Sequence, residues 1–248
     1  MYNTLLFQNE FVIRVIVVSI FQIWPIFYAS YFAYKLLKRR KNRSTYTLSG
    51  FFILTALTYF LATLSTFLVP TPLSVFTYAI YVLSIYTLIF SYAFLITFSW
   101  LLTRLDENLS PTKFYLRIIL YAILSLYVLV IAIPFNGITL NASTGWIPIY
   151  SWFFLGFSWT YIVIFFIIPQ IYFSFKIVKK YAGIVLKKRL NLFLLSVFLG
   201  LMIPVFVFLY HAMPGNVILR TSYILTMPEI GVIAAYLIYN GFGKELDK

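Results

Sequence analysis

The chain has no cysteine, a single histidine and only six acidic side chains in 248 residues. Without cysteine there is no disulfide framework, no thiolate metal ligand and no thiol nucleophile. One histidine, His211, excludes a multi-histidine metal centre. The shortage of acids is as restrictive. Intramembrane hydrolysis requires paired aspartates, a Ser–His pair or an H-E-x-x-H cluster, and the chain carries none of these. Its one adjacent acid pair, Asp106-Glu107, sits beside Arg104 in a short polar connector. The last long apolar stretch holds no lysine, which excludes a retinal Schiff base there. The chain therefore reads as a non-enzyme, with no cofactor and no metal.

What the chain has in excess is apolar surface. It is 62% hydrophobic and 10% charged, with a mean hydropathy of +0.95. Water-soluble domains carry about 25% charged residues, so an all-α, polytopic membrane protein is expected, forming one domain over residues 1–248. The composition includes 27 Phe and 21 Tyr, to which the sequence alone assigns no functional weight.

Seven stretches reach the roughly 20 apolar residues that a transmembrane helix needs. They are Phe11–Ala33, Thr47–Leu68, Leu73–Leu102, Phe114–Ile133, Ile147–Phe175, Leu190–Tyr210 and Ser222–Asn240. The runs are continuous rather than alternating, which favours helices over barrel strands. The stretch behind the N-terminus is too long for a signal-peptide core and lacks a small-residue cleavage site, so it is expected to be a retained first span.

The net charge is +13, and its placement sets the orientation. Basic residues crowd the first, third and fifth connectors and the tail, leaving only Arg14 and Arg220 on the opposite side. By the positive-inside rule the N-terminus is outside and the C-terminus cytoplasmic. The expected electrostatic partner is the anionic inner leaflet of the cell membrane rather than nucleic acid.

Five of the six acids fall in loops or termini. Glu229 does not. It lies seven residues past the start of the seventh stretch, about 10 Å inside it, where an ionisable group costs roughly 2.5–3.5 kcal/mol on insertion scales and is a functional candidate by default. Pro228 before it removes a backbone donor and frees the Ile224 carbonyl. Arg14, Gln22 and His211 lie toward the same outer half, and with Glu229 they outline a candidate ligand site. His211 reads by itself as a solvated interfacial imidazole, and Trp146, Tyr150 and Trp152 as an interfacial belt. Pro25, Pro169, Pro204 and Pro228 are candidate hinges. Pro169-Gln170 is similar to the Pro-Gln pair of PQ-loop transporters, and otherwise reads as a kink with an interfacial Gln.

The chain resembles the seven-helix membrane sensor regions at the N-terminus of many archaeal and bacterial histidine kinases. The residues that carry the likeness are the basic first connector and Phe98-Ser99-Trp100-Leu101-Leu102-Thr103 closing the third stretch. Lys187-Lys188-Arg189 launching a sixth stretch with Pro204, and Tyr239-Asn240-Gly241 ending the seventh, complete it. The resemblance implies a module that senses a ligand in or outside the membrane. No kinase or other output domain follows Asn240, so the signal is expected to reach a separate cytoplasmic signalling protein through the face bearing Lys187, Lys188 and Arg189. A small-solute or ion-coupled transporter, with Glu229 as the coupling group, is the alternative. A structural membrane scaffold is a third.

Overall fold

The computed structural model describes residues 23–38, 42–104, 110–180 and 184–240. Residues 23–37 form helix α1, with Pro25 in its first described turn. Asn42 starts α2 (Arg43–Leu68) by accepting the Thr45 N–H at 2.7 Å. Thr71 and Pro72 start a 3-10 turn, Pro72–Phe76, that runs directly into α3 (Thr77–Leu102). Pro111 occupies the first position of α4 (Pro111–Ser125), where its missing N–H costs nothing. A break at Leu126 leads into the short α5 (Tyr127–Ala132).

Two-residue strands then pair antiparallel, β1 (Ile138–Thr139) with β2 (Ile149–Tyr150), Ile138 standing opposite Tyr150. Ser151 caps α6 (Trp152–Ile162), which continues through a wide π turn, Val163–Ile167, into α7 (Ile168–Lys180). The remaining helices are α8 (Ile184–Ala212) and α9 (Val217–Ile238), the latter capped by the Asn216 side chain.

Six continuous helical segments are long and apolar enough to cross a membrane: Arg43–Leu68, Pro72–Leu102, Pro111–Ala132, Trp152–Lys180, Arg189–Ala212 and Val217–Ile238. The protein is a helical, multi-pass membrane protein. Of the expected first span, residues 11–22 lie outside the described residues. Several boundaries move. The fifth span starts at Trp152 rather than Ile147, because residues 138–150 form the ribbon. The seventh starts at Val217 rather than Ser222, because Asn216 provides a cap that the apolar pattern does not report.

Helix α3 is the centre of the bundle. It buries 19 of its 26 residues, against 11 of 26 in α2, and it packs on α2, α4, α5, α7 and α8. Its contact with α2 is close at Gly50, where a Cβ would stand 2.5 Å from the Phe94 ring, and polar at Thr58 and Thr87, whose hydroxyls are 3.0 Å apart. Small residues and interhelical hydroxyl bonds are the usual means of joining helices where no water drives association.

The tyrosines of α3 do something more specific. Pro204 inside α8 has no N–H, so the Gly200 carbonyl four residues earlier loses its helical partner. The Tyr92 hydroxyl takes its place, donating to Gly200 O at 2.7 Å. Pro169 frees Phe165 O in the same way, and Tyr121 of α4 donates to it at 3.3 Å. The π turn is the other half of that adjustment, with Ile168 N–H reaching back to Val163 O. At the α4–α5 break Leu126 N–H closes on Ile123 O, and Tyr86 donates to the Ala122 carbonyl left over, at 3.4 Å. Tyr78 serves Ala132 O at the end of α5, at 2.7 Å. Wherever one of these backbone carbonyls is orphaned, an aromatic hydroxyl from a neighbouring helix meets it.

This pairing predicts a conditional cost. Tyr92→Phe leaves Gly200 O unsatisfied and should destabilise the protein by about 1 kcal/mol. In a Pro204→Ala background the restored Ala N–H satisfies Gly200 O, and the same Tyr92→Phe change should cost less than half as much. A double-mutant cycle by detergent unfolding measures the coupling directly.

Candidate functional site at the hairpin end

His211 occupies the last turn of α8, directly beneath the β1–β2 ribbon. Its Nδ1 is 3.1 Å from the Pro148 carbonyl oxygen and its Nε2 is 3.2 Å from the Tyr81 hydroxyl. The Tyr81 hydroxyl is in turn 2.7 Å from that of Tyr150. A carbonyl only accepts, so Nδ1 carries the proton; in the neutral ring Nε2 then accepts from Tyr81, whose oxygen accepts from Tyr150. The chain of donation therefore runs from Tyr150 through Tyr81 and His211 to Pro148. It joins α3, α8 and the ribbon by three bonds.

Packing holds the imidazole in place. Its ring lies over Tyr150 at 4.8 Å between centroids, and Tyr210 meets it edge-on at 4.7 Å. Tyr81 and Tyr150 are buried, with 7% and 2% exposure. The expectation of a solvated imidazole is corrected: His211 is half-buried and hydrogen-bonded at both ring nitrogens. The expected aromatic belt is also divided. Trp152 is exposed, Trp146 is half-buried against the core, and Tyr150 belongs to the interior.

The ribbon is built tightly enough to fix the Pro148 carbonyl. Gly137 donates to Ile131 O at 3.0 Å and accepts from Ser151 N–H at 2.9 Å. A Cβ at Gly137 would stand 2.8 Å from Ile131 O, so no side chain fits. Gly145 and Trp146 both turn the chain in the left-handed region, with φ of 59° and 58°. Beside the ribbon, Arg220 in the first turn of α9 donates to Pro214 O and to the Tyr210 hydroxyl, each at 3.1 Å, and lies over the Tyr210 ring at 4.9 Å.

The other expected site residues are dispersed. Arg14 and Gln22 lie outside the described residues. Glu229 follows the first residue of α9 by twelve positions, which places it about 18 Å along the helix, deeper than the shorter expected span implied. His211 ends α8 close to where α9 begins, so these two groups are not brought together. Glu229 is exposed, and at 100° per residue it lies opposite the buried face formed by Gly231, Ala235 and Ile238. Pro228 falls within α9. Lys187, Lys188 and Arg189 fall in the first two turns of α8, at the far end from His211.

Gln170 also departs from expectation. It is fully buried rather than interfacial, its amide donates to Ser174 Oγ at 3.4 Å, and its Oε1 has no partner. Reading the sequence for titratable groups missed Tyr81, Tyr92, Tyr121 and Tyr150. The signal available was the proline rule, which names Phe165 O and Gly200 O as acceptors in need of donors. No family model, curated protein or solved structure gives a significant match to the chain.

Two substitutions test the hairpin-end network. Tyr81→Phe strands both Tyr150 Oη and His211 Nε2, whereas Tyr150→Phe removes only one donor. Tyr81→Phe should therefore lower the melting temperature more, with a cost of about 1–3 kcal/mol. Gly137→Ala, which collides with a backbone carbonyl, should raise hydrogen exchange across residues 138–150 while leaving α2 and α3 protected.

Proposed function

We propose that this protein is a seven-helix sensor or ligand-binding module of the cell membrane, with its N-terminus outside and its C-terminus cytoplasmic. The ligand binds at the hairpin end and the response leaves through the basic end. The observation that carries this reading is the Tyr150–Tyr81–His211–Pro148 chain, because it ties a loop at one membrane surface to two long helices of the core, α3 and α8. A polar ligand competing for the Pro148 carbonyl or for His211 breaks that chain and releases the end of α8. The opposite end of α8 carries Lys187, Lys188 and Arg189, the proposed contact for a cytoplasmic signalling protein. The resemblance to kinase-linked sensor regions supports the same direction of signal flow.

Such a ligand must prefer one arrangement of α8 over another, since equal affinity for both shifts nothing. Transport, with Glu229 coupling a proton or cation, is the competing reading.

The test is thermal stability of the purified protein against a panel of metabolites and lipids, for wild type, His211→Gln and Glu229→Gln. A compound that stabilises wild type and Glu229→Gln but not His211→Gln supports a hairpin-end ligand site. Dependence on Glu229 instead, with counterflow of that labelled compound in proteoliposomes, would establish the transporter.

A further inference from the structure

The outward face of α9 carries the side chain that lipid suits least. Among the six crossing segments α9 is the least enclosed by the rest of the bundle. One side of it packs along α8, and there Gly231 faces Ile203 of α8 and Tyr28 of α1. The opposite side exposes Ser222, Leu225, Thr226, Glu229, Ile233 and Tyr236. At 100° per residue, Ser222 and Glu229 fall at the centre of that arc. No hydrogen bond or ion pair joins Glu229 to the described residues. An ionisable group this far along a crossing helix is expensive against hydrocarbon, and it pairs with another polar group or faces an interior. Glu229 points its arc away from the described bundle, so its partner comes from outside that bundle.

The spacing of the face says what that partner is. Ser222, Glu229 and Tyr236 are seven residues apart, and positions at that interval drift only about 20° around a helix. They therefore lie on one line, the seam along which two helices of the same direction cross at a shallow angle. Two copies inserted the same way present α9 in parallel, and a two-fold axis sets each seam residue against its own twin. Such a self-pair needs a group that both donates and accepts. A serine hydroxyl, a protonated carboxyl and a phenol all do, whereas lysine or arginine at any of these positions would not. Thr226 turns its hydroxyl back to Ser222 O at 2.8 Å and so offers no competing donor. Leu225 and Ile233 lie between the polar positions and supply apolar packing beside the seam. All three polar seam positions are complementary to themselves, which a different partner would not require.

We propose that this face is the interface with a second copy of the chain, a parallel two-fold pair of α9 helices with the two Glu229 carboxyl groups hydrogen-bonded to each other at its centre. The complementarity of the acid with itself selects a second copy over lipid, which offers no partner at that depth. A polar residue at one seam position also fixes the register of such a pair, at some cost in stability. The interface lies on the far side of α9 from α8 and uses neither the hairpin-end site nor the Lys187-Lys188-Arg189 surface.

The chain has no cysteine, so single introduced cysteines report contacts between copies without background. Under mild oxidation in the membrane, Ser222→Cys and Tyr236→Cys should form interchain disulfides, which require Cα atoms within about 7 Å. Ile123→Cys, on the exposed side of α4, should stay monomeric. Equal cross-linking at all three positions, the result of random collision, overturns the proposal. The second measurement is the dimer fraction in bilayers over a series of protein-to-lipid ratios, by single-molecule photobleaching of the full chain. Glu229→Leu should weaken dimerisation about tenfold, while Glu229→Gln, which keeps a donor and an acceptor, should stay within about threefold of wild type. Wild type that is monomeric at every ratio, or Glu229→Leu that dimerises as well as wild type, overturns the proposal. So does an intrachain disulfide between Arg14→Cys and Thr226→Cys, which would assign the face to the expected first span.

Discussion

Every backbone carbonyl inside a membrane must find a donor within the protein, because hydrocarbon supplies none and each unsatisfied group costs several kcal/mol. This chain interrupts its own helices repeatedly, with prolines in α7 and α8, a π turn, and a break between α4 and α5. The arrangement of helices follows from how those interruptions are repaired. A tyrosine suits the task, since its ring packs as a hydrophobic body and its hydroxyl reaches a partner about 6.5 Å from the Cα. Tyr78, Tyr86 and Tyr92 on α3 each meet a carbonyl on a different neighbour. The buried centre of α3 and the irregular helices around it are therefore one design, and neither would be stable without the other.

The two ends of the bundle handle polarity differently. At the hairpin end the polar groups are neutral and arranged in series, each hydroxyl or imidazole donating to the next. At the basic end, Arg104 and Arg117 lie over the faces of Trp100 and Phe173. The first arrangement is closed and sensitive to replacement of any member.

Much of the fold could be read from the sequence and much of the site could not. Apolar length alone located Arg43–Leu68, Pro72–Leu102 and the other crossing segments, because hydropathy is a direct report of the solvent a segment requires. It erred at Trp152, where a short ribbon is as apolar as a helix: Ile138, Leu140 and Tyr150 are all buried. It erred at Val217, where the start is set by a cap rather than by hydrophobicity. Titratable residues drew attention to Glu229 and His211 because charge in a bilayer is expensive. The hydroxyl pairs escaped notice because they depend on which helices are neighbours. Pro204 and Tyr92 are 112 positions apart, and no local pattern connects them.

Helix α8 is where these features meet. Its 29 residues span about 43 Å, with His211 at one end, Arg189 near the other, and Pro204 between them. The Tyr92 bond meets the carbonyl that Pro204 frees and is worth about 1 kcal/mol, the order of an interhelical hydrogen bond in a membrane. Coupling free energies between distant sites are commonly 1–3 kcal/mol. A bond of this size favours one placement of α8 against α3 without locking it. Had α8 been a straight helix with all its backbone bonds made, changing its path would require breaking bonds with no partner nearby to replace them. With Pro204 in place the Gly200 carbonyl already depends on another helix, so the position of α8 relative to α3 is set in part by a single side-chain bond.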